Sequence, residues 1–127
     1  MAVNKKKILV VEDDTMISSM YKMKFEADGF EVFIADNGVI GLEIAKKEKP
    51  DIIMLDVILP QLDGFSVLEQ VKKDETTKKI PVIMLTNLGT EEDKKKGETM
   101  GAMGYLVKAS LTPGQVSGKI KQALKLK

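Results

Sequence analysis

The sequence predicts an α/β fold in which one parallel, five-stranded sheet is covered by helices on both faces. Short apolar runs bounded by turn residues recur along the chain, which is typical of strands buried on both faces. Segments with apolar residues at helical spacing separate these runs, and such alternation indicates right-handed crossovers between parallel strands. No composition break, repeat or linker interrupts the pattern over 127 residues, so we expect a single domain spanning residues 1–127.

The net charge and the absence of two residue types exclude several classes of function. The apolar fraction is 43%, the charged fraction is 31% and the net charge is +1, so no strong field favours a nucleic acid or a membrane as partner. The chain has no cysteine and no histidine, which excludes a thiolate nucleophile, a Ser-His-Asp triad and a histidine metal cluster. Only a short apolar run follows the polar N-terminus, too short for a signal peptide, and we therefore expect a cytoplasmic protein.

The apolar run Ile52–Leu55 predicts the central strand. Pro50 precedes it, and a cluster of Pro, Asp and Gly follows it. Asp56 lies where this strand must leave the sheet, and a carboxylate there is costly unless something pairs with it. Because ligands bind at the carboxyl ends of strands in open α/β sheets, Asp56 is the first functional candidate.

The remaining elements follow from the same patterns. The other predicted strands are 8–11, 30–35, 82–85 and 103–107, and the predicted helices are 15–28, 39–47, 64–73, 91–100 and one that begins after Thr112. Helix 91–100 is nearly all charged, so we expect it to be the least stable helix. The eight methionines are interpreted as core filler, with Met16, Met20 and Met23 as the alternative candidates for an adaptable surface.

Charged and hydroxyl side chains occur at the carboxyl ends of four predicted strands. They are Glu12, Asp13, Asp56, Thr86 and Lys108. An acid-rich, all-oxygen site suits a hard cation, and Mg²⁺ is the first choice. A carboxylate beside such a cation can act as a nucleophile toward a phosphoryl group, whose charge the cation and Lys108 would neutralise. Thr86 could donate a hydroxyl hydrogen bond to the same group.

These residues resemble the receiver domain of two-component response regulators, including the stand-alone chemotaxis type, over essentially the full chain. The matching segments are 8–14 (ILVVEDD), 51–56 (DIIMLD) with Pro60 and Asp63-Gly64, 81–86 (PVIMLT) and 104–108 (GYLVK). The resemblance implies a doubly wound, flavodoxin-like sheet with strand order 2-1-3-4-5. It also implies a signalling domain that catalyses only its own phosphorylation and slow dephosphorylation.

The resemblance also implies roles for individual residues. Asp56 would be the phospho-acceptor, charged from a histidine kinase or a phosphotransfer protein. Glu12 and Asp13 would hold Mg²⁺ together with Asp56 and the backbone carbonyl of Ile58.

The remaining implied roles concern the readout of phosphorylation. Lys108 would bind the phosphoryl group, Thr86 would move toward it, and Tyr105 would turn inward behind Thr86. The surface of the fourth helix, fifth strand and fifth helix would then change for a downstream protein partner. The protein would be a monomer or a weak, phosphorylation-dependent dimer, with no direct contact to nucleic acid.

Four positions depart from the family pattern. Glu12 stands where aspartate is common, so its contact with the metal can run through water. Ile58 replaces a frequent methionine, and Asn87 follows Thr86 where a smaller residue is usual. Ala109 replaces the proline that commonly follows the lysine, and the sequence does not determine the isomer of that peptide bond.

Other interpretations of the same residues differ in their chemistry. A phosphohydrolase with an aspartyl-phosphate intermediate commonly has a general acid two residues after the nucleophile, where this chain has Ile58. A flavin carrier of the same topology would need a Ser/Thr/Gly-rich phosphate loop after the first strand, where this chain has three acids. Asp56 could also simply cap a turn, and Tyr105 could be a core residue without a switching role.

Overall fold

The computed structural model describes residues 5–87 and 90–125 of the chain. The segments 1–4, 88–89 and 126–127 of the expected single domain lie outside these residues. Strands and helices alternate as predicted, in the order β1 Lys7–Val11, α1 Thr15–Ala27, β2 Glu31–Ala35, α2 Gly38–Glu48, β3 Ile52–Leu55, α3 Gly64–Lys73, β4 Val82–Thr86, α4 Glu91–Thr99, β5 Gly104–Val107 and α5 Pro113–Ala123. A short 3₁₀ turn over Lys108–Ser110 was not predicted.

The five strands form one sheet with the order β2-β1-β3-β4-β5, and every pairing is parallel. The register aligns Val11 with Leu55 and Leu55 with Met84, so β1, β3 and β4 end at nearly the same level. The predicted doubly wound sheet and its strand order are therefore confirmed. The residues that follow these strands must emerge together at one edge.

Alternating strand residues build a core on each face of the sheet. On one face, Leu9, Ile53 and Met84 pack with residues of α2 and α3 such as Ala45 and Leu68. On the other face, β-strand residues pack with the inward sides of α1 and α5, including Tyr21, Phe25, Val116 and Ile120. The two layers of helices thus cover the two faces of the sheet.

Side-chain caps determine where the helices next to the site begin. The carboxylate of Asp14 accepts hydrogen bonds from the backbone N–H groups of Met16 and Ile17 and starts α1. Asp63 caps α3 through the N–H of Ser66. Thr112 and Gln115 form a capping box at the start of α5, which agrees with the predicted helix that begins after Thr112.

Helix α4 packs against the body through a glycine. Gly97 is its only buried residue, and a Cβ built there would lie 3.6 Å from Met84 and 3.7 Å from Tyr105. Three acids in the first turn stabilise the helix through their interaction with the positive end of its dipole. The helix buries little apolar surface, which is the reason to expect that it is the least stable helix. This low stability stays a prediction.

The interpretation of the methionines as core filler is wrong for four of them. Met16, Met20 and Met23 are 83%, 43% and 73% exposed, and Met103 is 56% exposed. Helix α1 is rotated so that Tyr21 and Phe25 face the sheet, which places the methionine stripe on the outer side. Together with Pro113 the stripe lines a surface groove of about 720 Å³, while Met54 and Met84 lie in the core.

No helix among residues 5–87 and 90–125 is long and apolar enough to cross a membrane. The same part of the chain contains no cis peptide bond.

Candidate functional site

The ends of four strands bring the predicted site residues together. The backbone N–H of Glu12 donates to the carbonyl of Ala35 at 2.9 Å, and that of Asp56 donates to the carbonyl of Val11 at 3.1 Å. The sheet ladder thus continues one residue past β1 and β3 and holds both acids rigidly at the edge. Thr86 is the last residue of β4, and Lys108 follows β5 directly.

Lys108 joins the two buried acids. Its Nζ donates a hydrogen bond to Asp56 Oδ2 at 2.8 Å and a second one to Glu12 Oε1. Glu12 is 4% exposed and Asp56 is 7% exposed, and the Lys108 side chain is 10% exposed. Two carboxylates can be buried this close to each other because an ammonium lies between them.

The second oxygen of each carboxylate accepts a backbone hydrogen bond. The N–H of Asp14 donates to Glu12 Oε2 at 3.1 Å, and the N–H of Ile58 donates to Asp56 Oδ1 at 3.3 Å. Both donors lie two residues after the acid that they contact. The rotation of each carboxylate is therefore restricted by its own loop.

Burial and pairing shift the pKa values in this cluster. Burial raises the pKa of the Glu12 carboxyl, although the hydrogen bonds from Lys108 and from the N–H of Asp14 oppose it. Burial alone would lower the pKa of the Lys108 ammonium, but its hydrogen bonds to Asp56 and Glu12 outweigh that effect and raise it. Lys108 is therefore a permanent positive charge at physiological pH.

The acids also fit a hard cation. Glu12, Asp13 and Asp56 each offer a carboxylate oxygen, and these three oxygens lie within 4.8 Å of one another. Three anionic oxygens without sulfur or nitrogen donors suit Mg²⁺. Asp13 is exposed, so a cation can reach the cluster from solvent.

A surface cavity of about 300 Å³ opens above the acids. Its lining residues are Glu12, Asp13, Asp14, Ile17, Asp56, Ile58, Thr86, Asn87 and Lys108. Thr86 is 1% exposed at its wall, whereas the side chain of Ile58 is 62% exposed at its rim. All of the predicted site residues except Tyr105 line this cavity.

Tyr105 lies apart from the cavity, on β5 beside Gly97 of α4. It is half-buried, and burial raises the pKa of its phenol, as do the charges of Asp93 and Asp56. Its predicted inward turn stays a prediction.

Tyr21 lies in the predicted helix 15–28, where helical spacing of apolar residues indicated an inward-facing side chain, but its position beneath the acids was not predicted. Tyr21 is 2% exposed and lines a small internal cavity together with Glu12 and Asp56. Burial raises the pKa of its phenol, the charge of Lys108 lowers it, and the charges of the two acids raise it. Helical spacing predicted an inward side chain but carried no signal for its distance from the strand ends.

Comparison with known families identifies the class of protein. A sequence profile of the response regulator receiver domain matches residues 8–120. The chain belongs to this family, whose members are the phosphoryl-accepting switches of two-component signalling. The fold, the strand order and the acidic cluster all agree with that membership.

Individual relatives place the chain within the family. It is 40% identical to the protein PilH of Pseudomonas aeruginosa over 104 residues, which are 80% of this chain and 84% of PilH. It is 43% identical over 102 residues to RpaA of Synechocystis, described as a DNA-binding dual master transcriptional regulator, covering 80% of this chain and 42% of RpaA. The chain spans about half the length of the transcriptional regulators that it matches.

Solved structures agree with the observed fold. A CheY-like receiver domain protein from Methanospirillum hungatei superimposes with a TM-score of 0.89 at 31% identity, covering 96% of this chain and 95% of that one. The chemotaxis protein CheY4 of Vibrio cholerae gives a TM-score of 0.87 at 31% identity, covering 94% and 98%.

Proposed function

We propose that Asp56 is the residue that accepts the phosphoryl group in this receiver domain. The observation that carries the proposal is the contact of the buried Asp56 carboxylate with Lys108 Nζ at 2.8 Å, in a cavity that three further acids line. An ordinary turn-capping aspartate would not require a buried ammonium. A nucleophilic carboxylate that receives a dianionic phosphoryl group needs a positive charge beside it.

The reaction transfers a phosphoryl group between two side chains. The donor proposed from the receiver family is a phosphohistidine on a histidine kinase or phosphotransfer protein. It must lie on another protein, because this chain has no histidine. One oxygen of Asp56 attacks phosphorus, a P–O bond forms, and the P–N bond to the donor imidazole breaks. The departing imidazole takes a proton from solvent, and Lys108 remains hydrogen-bonded to the growing negative charge.

Glu12, Asp13 and Asp56 would hold Mg²⁺, with the backbone carbonyl of Ile58 as a further ligand. When bound, the cation supplies positive charge against the phosphoryl oxygens. The exposed Asp13 supports this role because it can admit a cation from solvent. The N–H of Ile58 already contacts Asp56 at 3.3 Å, which places that residue's backbone beside the acceptor.

Thr86 and Tyr105 are proposed to read out the phosphorylated state. Thr86 is buried at the cavity wall, and Tyr105 packs beside Gly97 on α4. A movement of Thr86 toward the phosphoryl group would thus reach the α4–β5–α5 surface and a downstream protein partner. Dimerisation through this surface is proposed to be weak and phosphorylation-dependent.

We propose a cytoplasmic signalling domain over residues 1–127 that is not a phosphohydrolase. The position that would bear a general acid is the 62% exposed, apolar Ile58. Without a proton donor there, hydrolysis of the aspartyl-phosphate should be slow.

Intact mass spectrometry tests the proposal. The protein is incubated with Mg²⁺ and acetyl phosphate beside Asp56→Asn and the matched control Asp36→Asn, whose aspartate follows β2 at the same edge of the sheet, with β1 between the two strands. We expect one added phosphoryl group in the parent and in Asp36→Asn, and none in Asp56→Asn. Labelling that persists in Asp56→Asn would show that the acceptor is a different residue.

A further inference from the structure

Helix α4 has little apolar surface that fixes its position on the body of the protein. Of the residues Glu91–Thr99, only Gly97 is buried, and the half-buried Met100 follows at the end of the helix. The glycine lets the helix backbone come close to Met84 and Tyr105, but it offers no side chain that could interlock with them. The position of α4 therefore depends on contacts outside this interface.

One such contact joins α4 to the beginning of α3. Lys96 Nζ lies over the ring of Phe65, 4.4 Å from the ring centroid. We propose that this cation–π contact is a latch that holds α4 in its resting position and that its opening sets how often α4 leaves the body. The latch operates in the protein without a phosphoryl group, so it does not depend on phosphorylation of Asp56.

Phe65 is the rigid half of the latch. Its side chain is 9% exposed and belongs to the core on the α2–α3 face of the sheet. The residue before it is held by the loop after β3, because the N–H of Gly64 donates to the carbonyl of Val57 at 2.8 Å. The ring is therefore not free to follow Lys96 when α4 moves, and the contact breaks instead.

Asp63, the cap of α3, also attracts the Lys96 ammonium. Burial alone would raise the pKa of the Asp63 carboxyl. Hydrogen bonds from Ser66 and from the N–H of Phe65 outweigh burial, and the charge of Lys96 lowers this pKa further. The ammonium thus has two attractive partners at the start of α3, a carboxylate and a ring, and a test must separate them.

The latch is weak enough to open. Lys96 is exposed apart from this contact, and a cation–π contact at an exposed ammonium changes an equilibrium by about two- to fivefold. A contact of this strength shifts the population of displaced α4 without preventing displacement. Because α4 belongs to the surface proposed for the downstream partner, Lys96 would limit how far that surface changes before phosphorylation.

Amide hydrogen exchange of α4 tests the latch, with the exchange of α5 as the reference for global unfolding. Lys96→Met keeps the length and the helix propensity of lysine. Lys95→Met is the matched control, because Lys95 and Lys96 each follow a glutamate by four residues and lose a similar helical ion pair. We expect Lys96→Met to speed exchange in α4 about two- to fivefold more than Lys95→Met does. Equal effects of the two variants would overturn the latch.

A double-mutant cycle identifies the ring as the partner. Phe65→Leu keeps an apolar side chain in the core but removes the face on which the ammonium lies. In the Phe65→Leu background, the excess effect of Lys96→Met over Lys95→Met should vanish. In the Asp63→Asn background, which keeps a good cap and removes the charge, the excess should persist. An excess that persists in Phe65→Leu and vanishes in Asp63→Asn would overturn the cation–π latch.

Rescue by a second cation keeps the test decisive if Phe65→Leu does not fold. Lys96→Arg leaves the core unchanged, and its guanidinium can stack on the Phe65 ring. In the Asp63→Asn background, we expect Lys96→Arg to exchange in α4 as slowly as the protein that retains Lys96. Exchange as fast as that of Lys96→Met would contradict the latch.

Discussion

Gly64 supports Asp56, the proposed acceptor, through a close backbone approach, and replacing it should impair phosphorylation. A Cβ built on Gly64 would lie 2.0 Å from the carbonyl oxygen of Asp56 and 2.8 Å from Val57 Cα. The Gly64 N–H also donates to the carbonyl of Val57 at 2.8 Å. The glycine therefore lets the start of α3 lie directly on the backbone of the acceptor.

The size of the effect follows from these distances. Real Cβ contacts are essentially never shorter than 3.0 Å, so in Gly64→Ala the backbone of Asp56 or of α3 must retreat by at least about 1 Å. Overpacking of this kind costs about 1–3 kcal/mol of unfolding free energy. A 1 Å misplacement of a reacting group can cost on the order of 10²-fold in rate. We expect both losses in Gly64→Ala.

The assay compares Gly64→Ala with Gly118→Ala on α5. A Cβ at Gly118 would meet no atom within 4 Å, so this variant changes only helix propensity and should stabilise the protein by about 1 kcal/mol. Urea unfolding gives the stability of each variant, and the time course of mass gain with acetyl phosphate gives the phosphorylation rate. Phosphorylation of Gly118→Ala should proceed at the parent rate.

The reasoning would be refuted by a Gly64→Ala protein with parental stability that phosphorylates within about twofold of the parent rate. That result would mean that the loop after Asp56 absorbs a methyl group without moving the carboxylate.

Three further variants test other parts of the molecule. Because the hydrogen bond from Ser117 and the charge of Lys121 help to hold the pKa of Asp28 below its ordinary 3.8, the parent should be more stable than Asp28→Asn above about pH 4. That advantage should vanish as the pH falls further and Asp28 protonates, which urea midpoints from pH 7 to pH 2.5 would show. In Gly97→Ala the new methyl group makes only ordinary van der Waals contacts and favours the helix by about 1 kcal/mol, so amide hydrogen exchange in α4 should slow. Faster exchange would show that the contacts with Met84 and Tyr105 do not tolerate a methyl group. Ile120→Ala empties a fully buried site in the α1–α5 core and should cost about 2–5 kcal/mol in urea unfolding, and a loss below 1 kcal/mol would show that the core collapses around it.

The sequence predicted which residues meet at the site, because their positions depend only on where the strands end. Once the runs 8–11 and 52–55 are parallel neighbours, Glu12 and Asp56 must emerge side by side, and no side-chain detail is needed. The caps at Asp63 and Thr112 were predictable for a similar reason, since a cap is a local interaction within a few residues.

Features that depend on side-chain reach or helix rotation were not predictable. The bridge from Lys108 to Glu12 requires the rotamers of two long side chains that lie 96 residues apart in sequence. The outward methionine stripe depends on how α1 is rotated on the sheet, and both of its faces carry apolar residues. Gly64 was seen only as part of a turn motif, although its contact with the Asp56 carbonyl is tertiary.

The position of β1 between β2 and β3 has a consequence for the order in which the protein can assemble during synthesis. Residues 7–55 already contain three adjoining strands, and β4 and β5 then add at one edge in chain order. Glu12 and Asp56 belong to the part made first, whereas Thr86 and Lys108 arrive with the last two strands. A nascent chain that ends before β5 therefore has both buried acids and lacks the ammonium that neutralises them. The proposed acceptor site should therefore be complete only when β5 docks on β4, because Lys108 then reaches the two acids.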